Sequence, residues 1–198
     1  MKIILASASP RRKELLSRVC KEFDIRVEPT DETLDEGIHP KDGVKELAFR
    51  KGQALYEKMS PREREFSVIV SSDTLVELEG LPLGKPLSES DARSMLELLS
   101  GRRHNVHTGI SVRLGERVAT DVATTGVFFR ELSQYDINEY IATGEVWDKA
   151  GSYAIQGGAG KFVEKIEGDF DTVVGFSLKL LYELFEKLGV EGLLEVRL

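Results

Sequence analysis

Apolar and polar positions along this chain switch between two periods, and the switches mark its elements. Ile3-Ile4-Leu5 reads as the end of a buried strand, and Ser9-Pro10 as an N-cap with proline at the first helical position. Leu15, Leu16 and Val19 then give the helix its apolar face. "FDIRVEP" (23–29) alternates like a second strand, whereas Val44, Leu47, Ala48, Ala54 and Leu55 recur at helical spacing within 41–59. "SVIVSSDTLVEL" (67–78) begins as a near-continuous apolar run and predicts a central strand covered on both faces. Glu79-Gly80 turns the chain back towards "LGKP", and 88–101 is a helix facing inward through Met95, Leu96 and Leu99, stopped by Gly101.

Two alternating segments, 104–114 and 118–129, flank Gly115-Glu116. "SQYD" (133–136) opens another helix, with Asp136 at capping-box spacing and Gly144 as its end. "SYAIQ" and "KFVEKI" read as strands around "GGAG", and 172–189 reads as a closing helix capped by Gly189. Interleaved strands, helices and hairpins predict an α/β fold on a mixed sheet. No linker interrupts it, so residues 1–198 read as one domain.

Composition narrows the function. A chain of 198 residues buries roughly 70% of its unfolded surface and needs no disulfide. The single cysteine, Cys20, excludes an internal one, fits a reducing cytoplasm, and reads as a partly buried small residue. Neither a signal-peptide pattern nor an apolar run long enough to span a membrane is present. A net charge of −7 speaks against nucleic acid as a partner, so any basic cluster suits a small anion.

Such a cluster exists. Arg11, Arg12 and Lys13 crowd the first turn of the first helix, where the dipole is already positive and each cation costs something like 0.3–1 kcal/mol. That arrangement makes sense if a phosphate sits there. Asp73 breaks an apolar strand and is expected at or near a strand end, on the rim of a cleft, although a turn-capping role would also suit it. Lys51 and Lys85, each alone, read as solvated, but the Gly-Lys-Pro corner can aim Lys85. Gln156 interrupts an apolar segment, either to satisfy nearby backbone or to offer a base edge both donor and acceptor. "GGAGK" lacks P-loop spacing, His104 and His107 point to opposite faces of a strand, Arg102-Arg103-His104 reads as an exposed turn, and Trp147 reads as a core anchor.

Together, "LASASPRR", "SSDTLV", "LGKP", "HNVHTG" and "DKAGSYAIQG" resemble the Maf family of nucleoside triphosphate pyrophosphatases, in order and spacing, over nearly the whole chain. The resemblance implies a Maf/Ham1-like α/β fold, with an extended mixed sheet flanked by helices and a deep cleft between two lobes. It also implies hydrolysis of a nucleotide to its monophosphate and pyrophosphate, a divalent metal (magnesium, with manganese as an alternative), and a homodimer. Arg11, Thr74 and Gln156 match the dTTP/UTP type of the family rather than the 7-methyl-GTP type. The expected roles follow from it: Asp73 as general base, Ser9, Arg12, Lys51 and Lys85 around the phosphates, and Glu32 of "TDET" at the metal. "DTVVGFS" departs from the family's "NVVGLP" at Asp171, Phe176 and Ser177, positions that suggest the start of a helix rather than chemistry. His39 stands where an acidic residue is common and has no assigned role. Two other readings stay open, a house-cleaning pyrophosphatase for non-standard nucleotides and a non-catalytic nucleotide-binding regulator of septum formation.

Overall fold

The computed structural model describes residues 1–195. Seven strands, β1 (Lys2–Leu5), β2 (Phe23–Ile25), β3 (Ser67–Leu78), β4 (Leu81–Leu83), β5 (Arg103–Leu114), β6 (Arg117–Phe129) and β7 (Val163–Glu167), form one mixed sheet. Its order is β2-β1-β3-β5-β6-β7, with β4 paired to β3. β1 is parallel to both neighbours, so the chain must cross over between them. Helix α1 (Pro10–Ser17) makes the first crossover, and α2 (Pro40–Lys58) with α3 (Pro61–Phe66) the second. The remaining pairings are antiparallel.

The sheet is open at one place. β1 pairs with β3 only up to Val70, and β4 pairs with it only from Val76, so residues 71–75 have no strand on that side. As the apolar run predicts, both faces of β3 are covered. Val68 and Val70 join the larger core, while Ile69 packs with Leu55, Tyr56 and Met59 of the α2 segment. α2 lies close on the sheet because two facing positions are glycine: a Cβ on Gly52 would stand 2.7 Å from Ser71 Oγ, and one on Gly109 would stand 2.5 Å from the Val44 carbonyl oxygen.

The far side is built by α4 (Glu89–Leu99), α5 (Gln134–Ala142) and two consecutive helices, α6 (Phe170–Val174) and α7 (Leu178–Leu188). The capping box of Ser133 and Asp136 forms as expected. The expected single helix over 172–189 does not, because Gly175 takes φ 111° between α6 and α7. The departures from the family pattern serve that break. Ser177 caps α7 and donates to Asp169 Oδ2 at 3.2 Å, and Phe176 is fully buried. "SYAIQ" is likewise no strand: Ala150–Ser152 is a 3₁₀ turn and Gln156 lies in the turn after it. The second strand is shorter than predicted, ending at Ile25. Trp147 is 44% exposed rather than anchored in the core, and Arg103 lies on β5 rather than in an exposed turn, while His104 lies on that strand as the alternating segment 104–114 predicts. His39 acquires a role as N-cap of α2, its Nδ1 accepting from the Lys41 amide at 3.2 Å. None of the helices among the described residues is long and apolar enough to cross a membrane.

His104 and His107 do reach different partners, Tyr153 and Glu77 respectively. His104 is buried edge-on to Phe129, and burial depresses its pKa to about 4. The unfolded chain takes up this proton near pH 6.5, the folded chain only near 4, so folding loses stability as pH falls through that window. The loss amounts to about 3 kcal/mol over the full window. A His104→Gln variant lacks the group, so its stability deficit in urea unfolding should shrink by about that amount between pH 7 and 4. A deficit constant across that range would show that the ring is not held neutral.

Candidate active site

The opening in the sheet leads into a cleft of about 450 Å³. Asp73, the seventh residue of β3, stands opposite Gly109 of β5 and reaches the cleft from the interior of the strand, not from its end as expected. The close seating of α2 brings Lys51 to it. The Lys51 ammonium donates to Asp73 Oδ1 and also to Glu32 Oε1, the latter at 2.7 Å. That hydrogen bond is the main reason the Glu32 carboxyl is held below its ordinary pKa, with Lys85 and Arg12 adding to it.

Arg12 turns inward from the first turn of α1 and fills the gap in the sheet. Its Nη1 donates to the Ser72 carbonyl at 2.6 Å, its Nε to the Gly175 carbonyl at 3.0 Å, and its Nη2 to Thr74 Oγ1 at 3.3 Å. The Ser72 hydroxyl donates to the same Gly175 carbonyl at 3.1 Å. Thr74 is held further by Thr108, its hydroxyl 3.0 Å away. Burial lowers the Arg12 pKa, and the charge of Asp73 opposes that shift. The left-handed turn at Gly175 is therefore part of the site: it delivers the carbonyl that aims the guanidinium.

Of the three cations in that first turn, Arg11 and Arg12 line the cleft, beneath which Ser9 caps the helix, and Lys13 points to solvent. Lys85 and Gln156 also line it, both exposed. Gln156 is carried by a segment fixed on either side: the Ala154 amide donates to the Tyr140 hydroxyl at 3.0 Å and the Gly158 amide to Glu145 Oε2 at 2.8 Å. Thus Ser9, Arg11, Arg12, Glu32, Lys51, Asp73, Thr74, Lys85 and Gln156 all meet around one hollow. The sequence reading singled out the segment bearing Asp148 and Lys149 but assigned no role to those two residues, nor to Gly175 or Thr108, all of which line or shape the hollow. A glycine inside an otherwise helical apolar pattern was the available signal for Gly175.

For a metal, the relevant observation is that Glu32 and Asp73 flank one ammonium. A hard divalent cation that takes one or two carboxylates and completes its shell with phosphate oxygens and water fits that donor set. No cluster of three or more His, Cys, Asp or Glu suited to a metal occurs among the described residues, so a cage made of protein alone does not fit.

The family profile described as Maf-like protein matches residues 2–188. A protein of Bacillus cereus named dTTP/UTP pyrophosphatase is 40% identical over 190 residues, which cover 96% of this chain and 97% of that relative. One of the same name from Caldicellulosiruptor bescii is 40% identical over 192 residues, covering 96% of each. With nearly its whole length matched by the family profile and by these relatives, this chain belongs to the Maf family.

Proposed function

We propose that this chain is a nucleoside triphosphate pyrophosphatase that converts dTTP and UTP to the monophosphate and pyrophosphate. The observation that carries the reading is the cleft itself, which Asp73, paired with Lys51, lines together with Arg12 and Lys85. The relatives named for that reaction support it. Asp73 holds a water and takes its proton as the water oxygen bonds to the α-phosphorus. The bond from that phosphorus to the bridging oxygen breaks, and pyrophosphate leaves with its electron pair. Lys51 contacts both Asp73 and Glu32, and a triphosphate that draws the ammonium onto its own oxygens leaves Asp73 able to accept the proton. Arg12, its guanidinium fixed on the Ser72 and Gly175 carbonyls, offers the phosphates a fixed positive charge and Lys85 a mobile one, above the amino end of α1. Glu32 would hold magnesium together with phosphate oxygens, and the ion when bound supplies charge neutralisation and a more acidic water. One domain acting in the cytoplasm, with its buried Cys20 thiol reduced, completes the reading.

Pyrophosphate release across a panel of nucleotides tests it. The expected result is fastest release from dTTP and UTP with magnesium present. Preference for a non-standard nucleotide would move the chain to the house-cleaning reading, and tight binding without any release would make it a regulator. Gln156 supplies the finer test. Its amide answers a pyrimidine edge that presents both carbonyl and N–H, which a carboxylate can only accept from. Gln156→Glu should therefore lower kcat/KM for UTP by about tenfold or more relative to GTP. Equal relative rates in the variant and the parent would remove Gln156 from base recognition.

A further inference from the structure

Five cations and three carboxylates line the cleft, in a chain of net charge −7. The surplus is not spread evenly. Lys51 is neutralised by Glu32 and Asp73, and Arg12 is tied to backbone carbonyls. Arg11, Lys85 and Lys149 remain, contributed by α1, by the corner before α4 and by the loop after Trp147; among the described residues none of the three is in an ion pair. Burial first, and then the charges of Arg11 and Lys85, depress the Lys149 pKa, while Asp148 and Glu145 oppose them.

The loop that presents Lys149 is fixed in an unusual conformation. Asp148, Gly151 and Ser152 have φ of 58°, 66° and 61°, a region in which aspartate and serine are uncommon. The Gly151 amide donates to the Gly84 carbonyl at 3.0 Å, tying the loop to the corner that carries Lys85. The buried Ser152 hydroxyl sits 3.0 Å from Met95 Sδ on α4. Lys149 itself is held lightly, by one bond to the Trp147 carbonyl at 3.2 Å, which an anion can displace.

We propose that Lys149, with Arg11 and Lys85, forms an anion subsite for the terminal phosphates of the substrate in the same cleft as Asp73. The inference rests on the proposed triphosphate chemistry and adds to it a phosphate-binding residue on the loop that leads to Gln156. The reason is the match of charge: three mutually repelling cations are relieved by the most highly charged part of a triphosphate, its distal end.

The test uses Lys149→Met, which keeps the stem and removes the charge, and Lys149→Arg, which restores a cation. Inorganic tripolyphosphate binding is followed by calorimetry and UTP turnover by pyrophosphate release. In Lys149→Met, tripolyphosphate affinity should fall about tenfold and KM for UTP should rise, with the ratio of UTP to CTP rates unchanged. Lys149→Arg should recover most of the loss. Unchanged tripolyphosphate affinity in Lys149→Met overturns the proposal, as does a changed UTP to CTP ratio with affinity intact, which would place Lys149 at the base. Unaltered melting temperatures exclude a folding effect. Failure of the parent protein to release pyrophosphate would count against the proposed function instead, and leaves the calorimetric comparison a valid test of the subsite.

Discussion

Asp73→Asn should lower kcat for UTP about a thousandfold while leaving nucleotide affinity within a few fold. The substitution is nearly isosteric, and Asp73 is held by the β3–β5 ladder through its backbone, so the strand has no reason to move. Lys51 keeps Glu32 as a partner, which prevents the ammonium from being stranded. What the amide loses is the capacity to take a proton from water, which matters only as the reaction proceeds, so the loss should fall on kcat and not on KM. Removal of a negative charge from the cleft should, if anything, tighten binding of the triphosphate. Stopped-flow or quench measurements of pyrophosphate release, beside calorimetric binding of UTP, separate the two effects. Activity within about tenfold of the parent would take the base role away from Asp73.

The elements that carry the site were legible because each is announced by a local pattern. The strand around Asp73 is an apolar run that breaks abruptly into Ser-Ser-Asp-Thr, and α1 starts at a serine and proline ahead of an unfavourable cluster of cations. Two segments were not legible, for different reasons. Val174, Phe176 and Leu178 are all buried on either side of Gly175, so apolar periodicity runs straight through a break that only a backbone torsion reveals. In "SYAIQ", Tyr153 and Ile155 are buried while Gln156 is exposed, which imitates a strand. No ladder forms there, because the left-handed Gly151 and Ser152 redirect the chain and the Tyr140 hydroxyl takes the Ala154 amide instead. The Ser72, Thr74 and Gly175 partners of Arg12 were beyond any pattern, since they lie 60 to 163 residues away.

Those partners make Arg12→Met the variant expected to damage both folding and function. Two effects oppose each other. Removing the cation relieves repulsion in the first turn of α1, which gains at most about 1 kcal/mol. It also removes the charged donor from the Ser72 carbonyl and leaves the Gly175 carbonyl only the Ser72 hydroxyl, a loss of about 3 kcal/mol. The second effect is larger, so a net destabilisation of about 2 kcal/mol is expected, visible as a fall in melting temperature of roughly 4–8 °C. Without the guanidinium, the gap between β1 and β4 loses the group that links β3 to the turn after α6, and kcat/KM for UTP should fall at least a hundredfold. Arg12→Lys keeps the charge but cannot span both carbonyls, so it should recover little of either loss. If Arg12→Lys behaved like the parent, the fork geometry would be irrelevant, and charge alone would account for the first turn of α1.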